Sequence, residues 1–346
     1  MHADQLVVNI YLERAIAEFD TNPLSVRLIR RMATELPELF MVAALEYLDS
    51  PEESSAHQIL TSLMLRHHSV FEEVADPSRG SHRRSVTLFR RLVKVDLSFD
   101  VKLARKLPDR SGSNHAEAFD GPRSCRVLDV FDETSVGRRL LPILSHLVDS
   151  PDPQIAAKAT LFIGRRLQNA EWASRQLNRS DPGARASAVE AIWGLNSPSA
   201  QALLEDCVRD ESNRVAANAL VGLHMLGKPG IVEQVTEMVT ASVPTFRSTA
   251  AWTMGQIGDA AFVPPLTELL RDEHPEVRSA ALRSLLQIRR AEAAAPEAIA
   301  VEEPVVPEPV VEEPVSTPEP DVPLIDMDIR LDGKTFATRR KTARIG

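Results

Sequence analysis

The chain has 346 residues, two cysteines, 5% aromatic residues and a net charge of −9. The cysteines, Cys125 and Cys207, are far apart and in no CxxC pair, which excludes a disulfide framework or a zinc site built of cysteine pairs. Hydrophobic residues make up 43%, mostly Ala, Leu and Val, a balance that suits closely packed thin helices better than an aromatic-rich sheet core. The first residues are acidic and lack a signal-peptide pattern, and no apolar run approaches the ~18 residues needed to span a bilayer, so a cytoplasmic protein is expected.

Taken in chain order, residues 1–107 read as an N-terminal helical region. Candidate helices run over Gln5–Phe19, Leu24–Glu35, Pro37–Leu48, His57–Arg66 and Arg84–Val95, without strand-and-turn signals between them. They are expected to be degenerate hairpins. Residues 108–122, PDRSGSNHAEAFDGP, have the composition of a loop or hinge. A helix near Arg126–Phe131 then opens a repeat array over 123–290.

Within 138–290 the sequence repeats. The segment VRSAALRSL at 277–285 slides back 31 residues onto FRSTAAWTM, another 31 onto VAANALVGL, another 31 onto ARASAVEAI, and 29 more onto IAAKATLFI. One column is alanine in every copy: Ala159, Ala188, Ala219, Ala250 and Ala281. Four residues on stand Ile163, Ile192, Leu223, Met254 and Leu285, so each copy carries one helical face with a fixed small residue in it. Before each lies a second amphipathic helix, with columns Leu144/Ala173/Leu204/Val235/Leu266, Leu147/Gln176/Cys207/Met238/Leu269 and Val148/Leu177/Val208/Val239/Leu270. Capping or helix-breaking residues separate the two, as at Asp152-Pro153, Asp181-Pro182 and His274-Pro275. Residues 138–290 are thus expected to form five helical hairpins, each sealed by the next, in an all-α solenoid.

From Ala291 the composition shifts. Residues 291–328 carry eleven acidic and no basic side chains and are rich in Pro and Val. Residues 291–323 are expected to be a disordered, extended spacer. Residues 324–346 form a short basic tail, in which alternation around Asp332-Gly333 suggests a β-hairpin and Arg339, Arg340 and Lys341 a docking peptide.

The leucine pair, acidic turn and Val-Arg run, clearest in Leu269-Leu270-Arg271-Asp272 with Val277-Arg278 and in Phe246-Arg247 with Met254-Gly255, resemble the HEAT-repeat family. The resemblance covers 153 residues and implies an armadillo-type α-solenoid with a concave surface. It also implies pairing between the turn Asp and helix Arg of successive repeats. Arg185, Arg247 and Arg278 keep the arginine, but Ala156 and Ala216 break the series. The repeats are also similar to those of the phycobilin lyase class, a likeness of fold that carries no chemistry.

No phosphate loop, Rossmann glycine pattern, nucleophile elbow, HExxH or calcium loop occurs, and no cofactor or metal is implied. The adjacent pair His67-His68 points in two directions on a helix and is poorly arranged to grip one ion. Cys207 falls in a core column. Cys125 stands near Arg123 and Arg126, which could lower a thiol pKa.

On the second helices, the third, sixth and tenth positions after each repeat start point away from the core stripe. They place Leu161, Arg165, Val221, Met225, Trp252 and Arg283 along one row, a groove with an apolar centre and basic ends. These features are expected of a non-catalytic scaffold that binds a partner protein. An enzyme or enzyme partner acting on a bound cofactor would need a reactive Cys or His in the groove. A nucleic-acid binder, as among alkylpurine glycosylases with similar repeats, would need a basic groove with aligned aromatics, and Trp172, Trp193 and Trp252 fall at different repeat offsets. No small-molecule substrate is evident.

Overall fold

A computed structural model describes residues 2–49, 54–109, 118–134 and 136–299. Among them every regular element is helical, and the described residues up to Ala298 form one compact unit.

The local signals at the repeat junctions explain where helices begin. Asp152 caps α10 (Pro153–Leu167), its carboxylate accepting from the backbone N–H of Gln154 at 2.8 Å and Ile155 at 3.3 Å. Asp181 does the same for α12 (Pro182–Glu190), accepting from Ala184 N–H at 2.7 Å. Proline follows each cap, where its missing N–H costs nothing and its fixed φ suits the first turn. The remaining second helices are α14 (Asn213–Met225), α16 (Pro244–Ile257) and α18 (Pro275–Ile299). The first helices of the hairpins are shorter: α9 (Leu141–Leu144, flanked by 3₁₀ turns), α11 (Ala170–Leu177), α13 (Pro198–Cys207), α15 (Ile231–Glu237) and α17 (Val263–Leu269).

The columns of the repeat become the layers of the core. All five alanines of the fixed column are fully buried, and so are Leu144, Ala173, Leu204, Val235 and Leu266 opposite them. Small residues on one layer let α8 (Gly121–Glu133), α10, α12, α14 and α16 pack directly, helix on helix. Consecutive first helices touch only sparsely, which puts the second-helix row on the inside of the curve. Glycines tighten the same row: a Cβ on Gly164 would stand 2.5 Å from Ala191 Cβ, and one on Gly255 would stand 2.5 Å from Ser284 Oγ. One column member departs from the pattern. Phe246 is 40% exposed where Ile155, Ala184, Val215 and Val277 are buried, because a phenyl ring overfills a slot sized for alanine or valine.

The N-terminal region continues this arrangement. It contains α1 (His2–Ala17), α2 (Pro23–Glu35), α3 (Pro37–Leu48), α4 (Ser55–Met64), α5 (Val70–Ala75), α6 (His82–Val95) and α7 (Phe99–Ala104). Contacts run on from α2 to α4, α6, α8 and α10, though at the start of the chain α1 packs more closely on α3 than α2 does on α4. Phe89, Phe131 and Phe162 carry the core across them, with ring centroids 5.5 and 6.2 Å apart.

At the other end, α18 runs to Ile299, past the boundary expected at residue 290. Alanine-rich sequence after Arg290 has high helix propensity and keeps the last hairpin growing. The rest of the expected spacer and the whole of 324–346 lie outside the described residues.

Candidate partner-binding surface on the inner helix row

Most of the row expected to form the groove lies on the inner helices, but its chemistry differs from the expectation. Arg165 is no free basic end. It pairs with Asp132 on α8 and with Glu190 on α12 at 2.8 Å, while Lys158 pairs with Asp129 on α8. Burial pushes the Glu190 carboxyl up, and Arg165 acts against that shift. Arg166 beside it reaches Asp132 at 3.0 Å and lies 3.7 Å over the Phe162 ring. This stretch is a cross-helix ion network that staples three helices together.

Val221 is only 2% exposed and cannot touch a partner. The sequence reading placed it on the groove by register, but close packing of α14 between its neighbours encloses that position as well. Leu161 is half-buried, and Met225 is 57% exposed at the C-terminal end of α14.

Trp252 and Arg283 do come together. They line a concavity of about 690 Å³ between α14, α16 and α18, with Arg214, Thr249, Glu276 and Ser279. Asn213 fastens its rim, donating to Thr249 Oγ1 at 2.8 Å and to the Thr245 carbonyl at 3.2 Å. Trp252 is half-buried on α16, and Arg214 and Arg283 are exposed on either side of it. Among the described residues neither guanidinium has a hydrogen bond or ion pair. Sequence reasoning missed Arg214 and Ser279. The first turns of the inner helices also face this space, and Arg214 stands one residue before the repeat start.

The other tryptophans do not line the surface with Trp252. Trp172 is packed between the two halves of the core, and the Trp193 indole N–H donates to the Asn218 carbonyl at 2.7 Å. A further concavity of about 800 Å³, not foreseen from the sequence, lies on α2, α4 and α6 and is lined by Arg30, Arg66, Lys94, Gln58 and Ser62.

The thiols are both buried. Burial drives Cys207 up to about 12. Cys125 is also raised, chiefly by desolvation, which corrects the expectation that Arg123 and Arg126 lower it. Arg123 is spent elsewhere, on Glu72 at 2.9 Å and Asp76 at 3.2 Å. Glu38 joins His67 and His68 in a cluster whose ligand atoms lie within 4.8 Å of one another. The two imidazoles stack, with centroids 4.6 Å apart and planes 28° apart, so their in-plane lone pairs run side by side and do not converge on an ion. His274 sits in its turn against Glu273 at 3.2 Å and Glu276 at 3.5 Å. Arg339, Arg340 and Lys341 lie outside the described residues.

Residues 232–301, the last two hairpins, match the family model for HEAT repeats. No curated protein matches the sequence. Among solved structures the chain resembles human deoxyhypusine hydroxylase in complex with glycerol, at 14% identity, over 75% of this chain and 99% of that one, with a TM-score of 0.32. That protein is an enzyme, which corrects the expectation that this chain is not one: helical repeats do not by themselves exclude catalysis. So distant a likeness says nothing further about what this chain does. No described helix is long and apolar enough to cross a membrane.

Proposed function

We propose that this HEAT-repeat chain holds a partner protein against its inner helix row, with the contact centred on the Trp252 concavity. The observation that carries this reading is a half-buried tryptophan flanked by the exposed Arg214 and Arg283, neither of them in a hydrogen bond or ion pair among the described residues. Tryptophan supplies large rigid contact area, and arginine adds planar hydrogen bonding to carboxylates; both dominate the energetics of protein interfaces. Hydroxyls of Thr249 and Ser279 add adaptable donors and acceptors on the wall. The remainder of the row, where Arg165 and Lys158 are already ion-paired, serves to keep the helices in register rather than to attract a ligand.

A partner fitted to this surface presents an apolar or aromatic side chain to Trp252 and a carboxylate to the arginines. The test is affinity capture from native lysate with the full chain, Trp252→Ala and Arg283→Glu. Both substitutions fall on side chains with open faces and leave thermal unfolding within a few degrees of the parent. Proteins captured by the parent and lost from both variants support the reading. Variants that fold normally and still capture every protein the parent does remove it.

A further inference from the structure

The concavity of about 800 Å³ on α2, α4 and α6 is separated from the Trp252 surface by α8, α10 and α12. α4 supplies one wall of it. Ala56, Leu60 and Met64 are buried in the core, so Ser55, Gln58 and Ser62, three and four residues apart, fall on the other side of the helix, and Arg66 follows in the turn after it. Three cations line this hollow, each from a different element: Arg30 on α2, Arg66 after α4 and Lys94 on α6. All three are exposed, and no described residue lining the hollow is acidic. Arg30 and Arg66 have neither hydrogen bond nor ion pair among the described residues. An adjoining concavity of about 460 Å³ shares Lys94 and adds Arg91 with one carboxylate, Asp20, so the excess there is positive too. The middle of the inner row is built differently, since Lys158, Arg165 and Arg166 on α10 each pair with a carboxylate of α8. Cations gathered round a hollow without carboxylates concentrate the field inside it and draw in an anion.

We propose that this concavity binds an extended acidic segment of another protein, one in which carboxylates alternate with aliphatic side chains. The cations call for the carboxylates, and the guanidinium forks of Arg30 and Arg66 suit them bidentately. The aliphatic side chains answer to Ile59, Leu63 and Val95, which line the same hollow and are not fully buried. Ser55 and Gln58, exposed on α4, offer a hydroxyl and an amide to the backbone of the segment. The ten residues of α4 run about 15 Å, the length of four or five residues of extended chain. A nucleic acid fits less well. Bases need aromatic faces to stack on, and the one aromatic among the described lining residues is the half-buried Phe19. The net charge of −9 also opposes a long polyanion more than a short segment.

The test is fluorescence anisotropy of the full chain with a labelled peptide of three Glu-Val-Ser repeats, its Gln-Val-Ser counterpart and a labelled single-stranded oligothymidylate. Arg30→Glu and Arg66→Glu change exposed side chains, so both variants keep the parent's circular dichroism and melting temperature. The parent is expected to bind the acidic peptide at least about tenfold more tightly than the neutral one at low salt, and each variant to lose roughly fivefold or more. Arg283→Glu, in the other concavity, is expected to lose less than about twofold. Raising the salt weakens binding to the parent several-fold. Peptide binding indifferent to Arg30→Glu and Arg66→Glu, a neutral peptide bound as well as the acidic one, or an oligonucleotide bound more tightly and lost in the same variants overturns the proposal. Loss confined to Arg283→Glu also overturns it and assigns the peptide to the Trp252 surface. The inference does not rest on that surface, and either can fail alone.

Discussion

Arg247 donates to both carboxylate oxygens of Asp272, at 2.6 and 3.0 Å, joining the fourth hairpin to the fifth. The same guanidinium also donates to the carbonyls of Ala241 and Ser242 in the turn behind it. Arg185 repeats the whole pattern one period pair earlier, reaching Asp210 at 3.0 and 3.3 Å and the carbonyls of Arg179 and Ser180. Each rung therefore ties one inter-helix turn to the next, in bidentate geometry that lysine could not reproduce. Ala156 and Ala216 leave the alternate rungs out, so the array is laced at every second junction.

The rung makes stability depend on acid. The Arg247 guanidinium and the His274 backbone N–H hold the Asp272 carboxyl at about 2, below its ordinary 3.8. A group lowered on folding contributes fully above its unfolded value and loses that contribution as pH falls through the folded one. The contribution is accordingly complete above about pH 5 and mostly lost by pH 2. Asp272→Asn is expected to lower the melting temperature by roughly 2–6 °C at pH 7 and to converge on the parent near pH 2. Parallel melts from pH 7 to 2 check this; a gap that stays constant with pH means that the carboxylate's charge is not what holds the turn.

Overpacking tests the closeness of the inner row. Gly255 lies so near α18 that a Cβ would stand 2.5 Å from Ser284 Oγ, 2.7 Å from its Cβ and 3.0 Å from its backbone Cα. Rotation of the serine side chain cannot relieve the last of these, so α16 and α18 must separate. Gly255→Val is expected to cost about 1–3 kcal/mol. Ser284→Ala, which removes only the hydroxyl contact, rescues it little. Urea unfolding of the single and double variants measures both, and full rescue by Ser284→Ala means that backbone proximity is not the constraint.

The elements legible in the sequence were those with a period. The expected Pro37–Leu48 coincides with α3, and the other N-terminal helices fall within two residues of their observed ends except where α1 begins earlier, at His2. The two missed helices, α5 and α7, have six residues each, too short to show a 3.6-residue recurrence. The same limit governs the surface. A repeat alignment sees one hairpin at a time, so it put Trp252 and Arg283 on the inner row. It could not see that Asp132 and Glu190, on the helices before and after α10, take up Arg165. Nor could it see that the neighbours of α14 close over Val221. Those outcomes depend on which helices pack together, and the period of one helix carries no record of its neighbours.

Cavity formation probes the outer layer against the inner one. Leu204 is fully buried on α13 and lies across from Gly222 on α14, where an added Cβ would stand 3.0 Å from its Cδ2. Leu204→Ala leaves a void that Gly222 cannot fill and is expected to cost about 2–5 kcal/mol. Leu203 is only half-buried on the same helix, so Leu203→Ala costs less than half as much. Equal losses from the two, measured by urea unfolding, indicate that α13 does not hold the register of the repeat.

Cysteine chemistry reports whether the stack is closed. The Cys207 thiol, at about 12, is almost wholly protonated at pH 8, and the protonated form is a poor nucleophile. Burial raises Cys125 too, so both sulfurs are shielded twice, by access and by charge state. The native chain is expected to react with a disulfide reagent at pH 8 at least a hundredfold more slowly than the urea-unfolded chain, with both thiols emerging together if the array unfolds as one unit. Should Cys207 react before Cys125, the C-terminal hairpins open separately from the N-terminal half. Mass-spectrometric assignment of the first labelled thiol at intermediate urea distinguishes these outcomes.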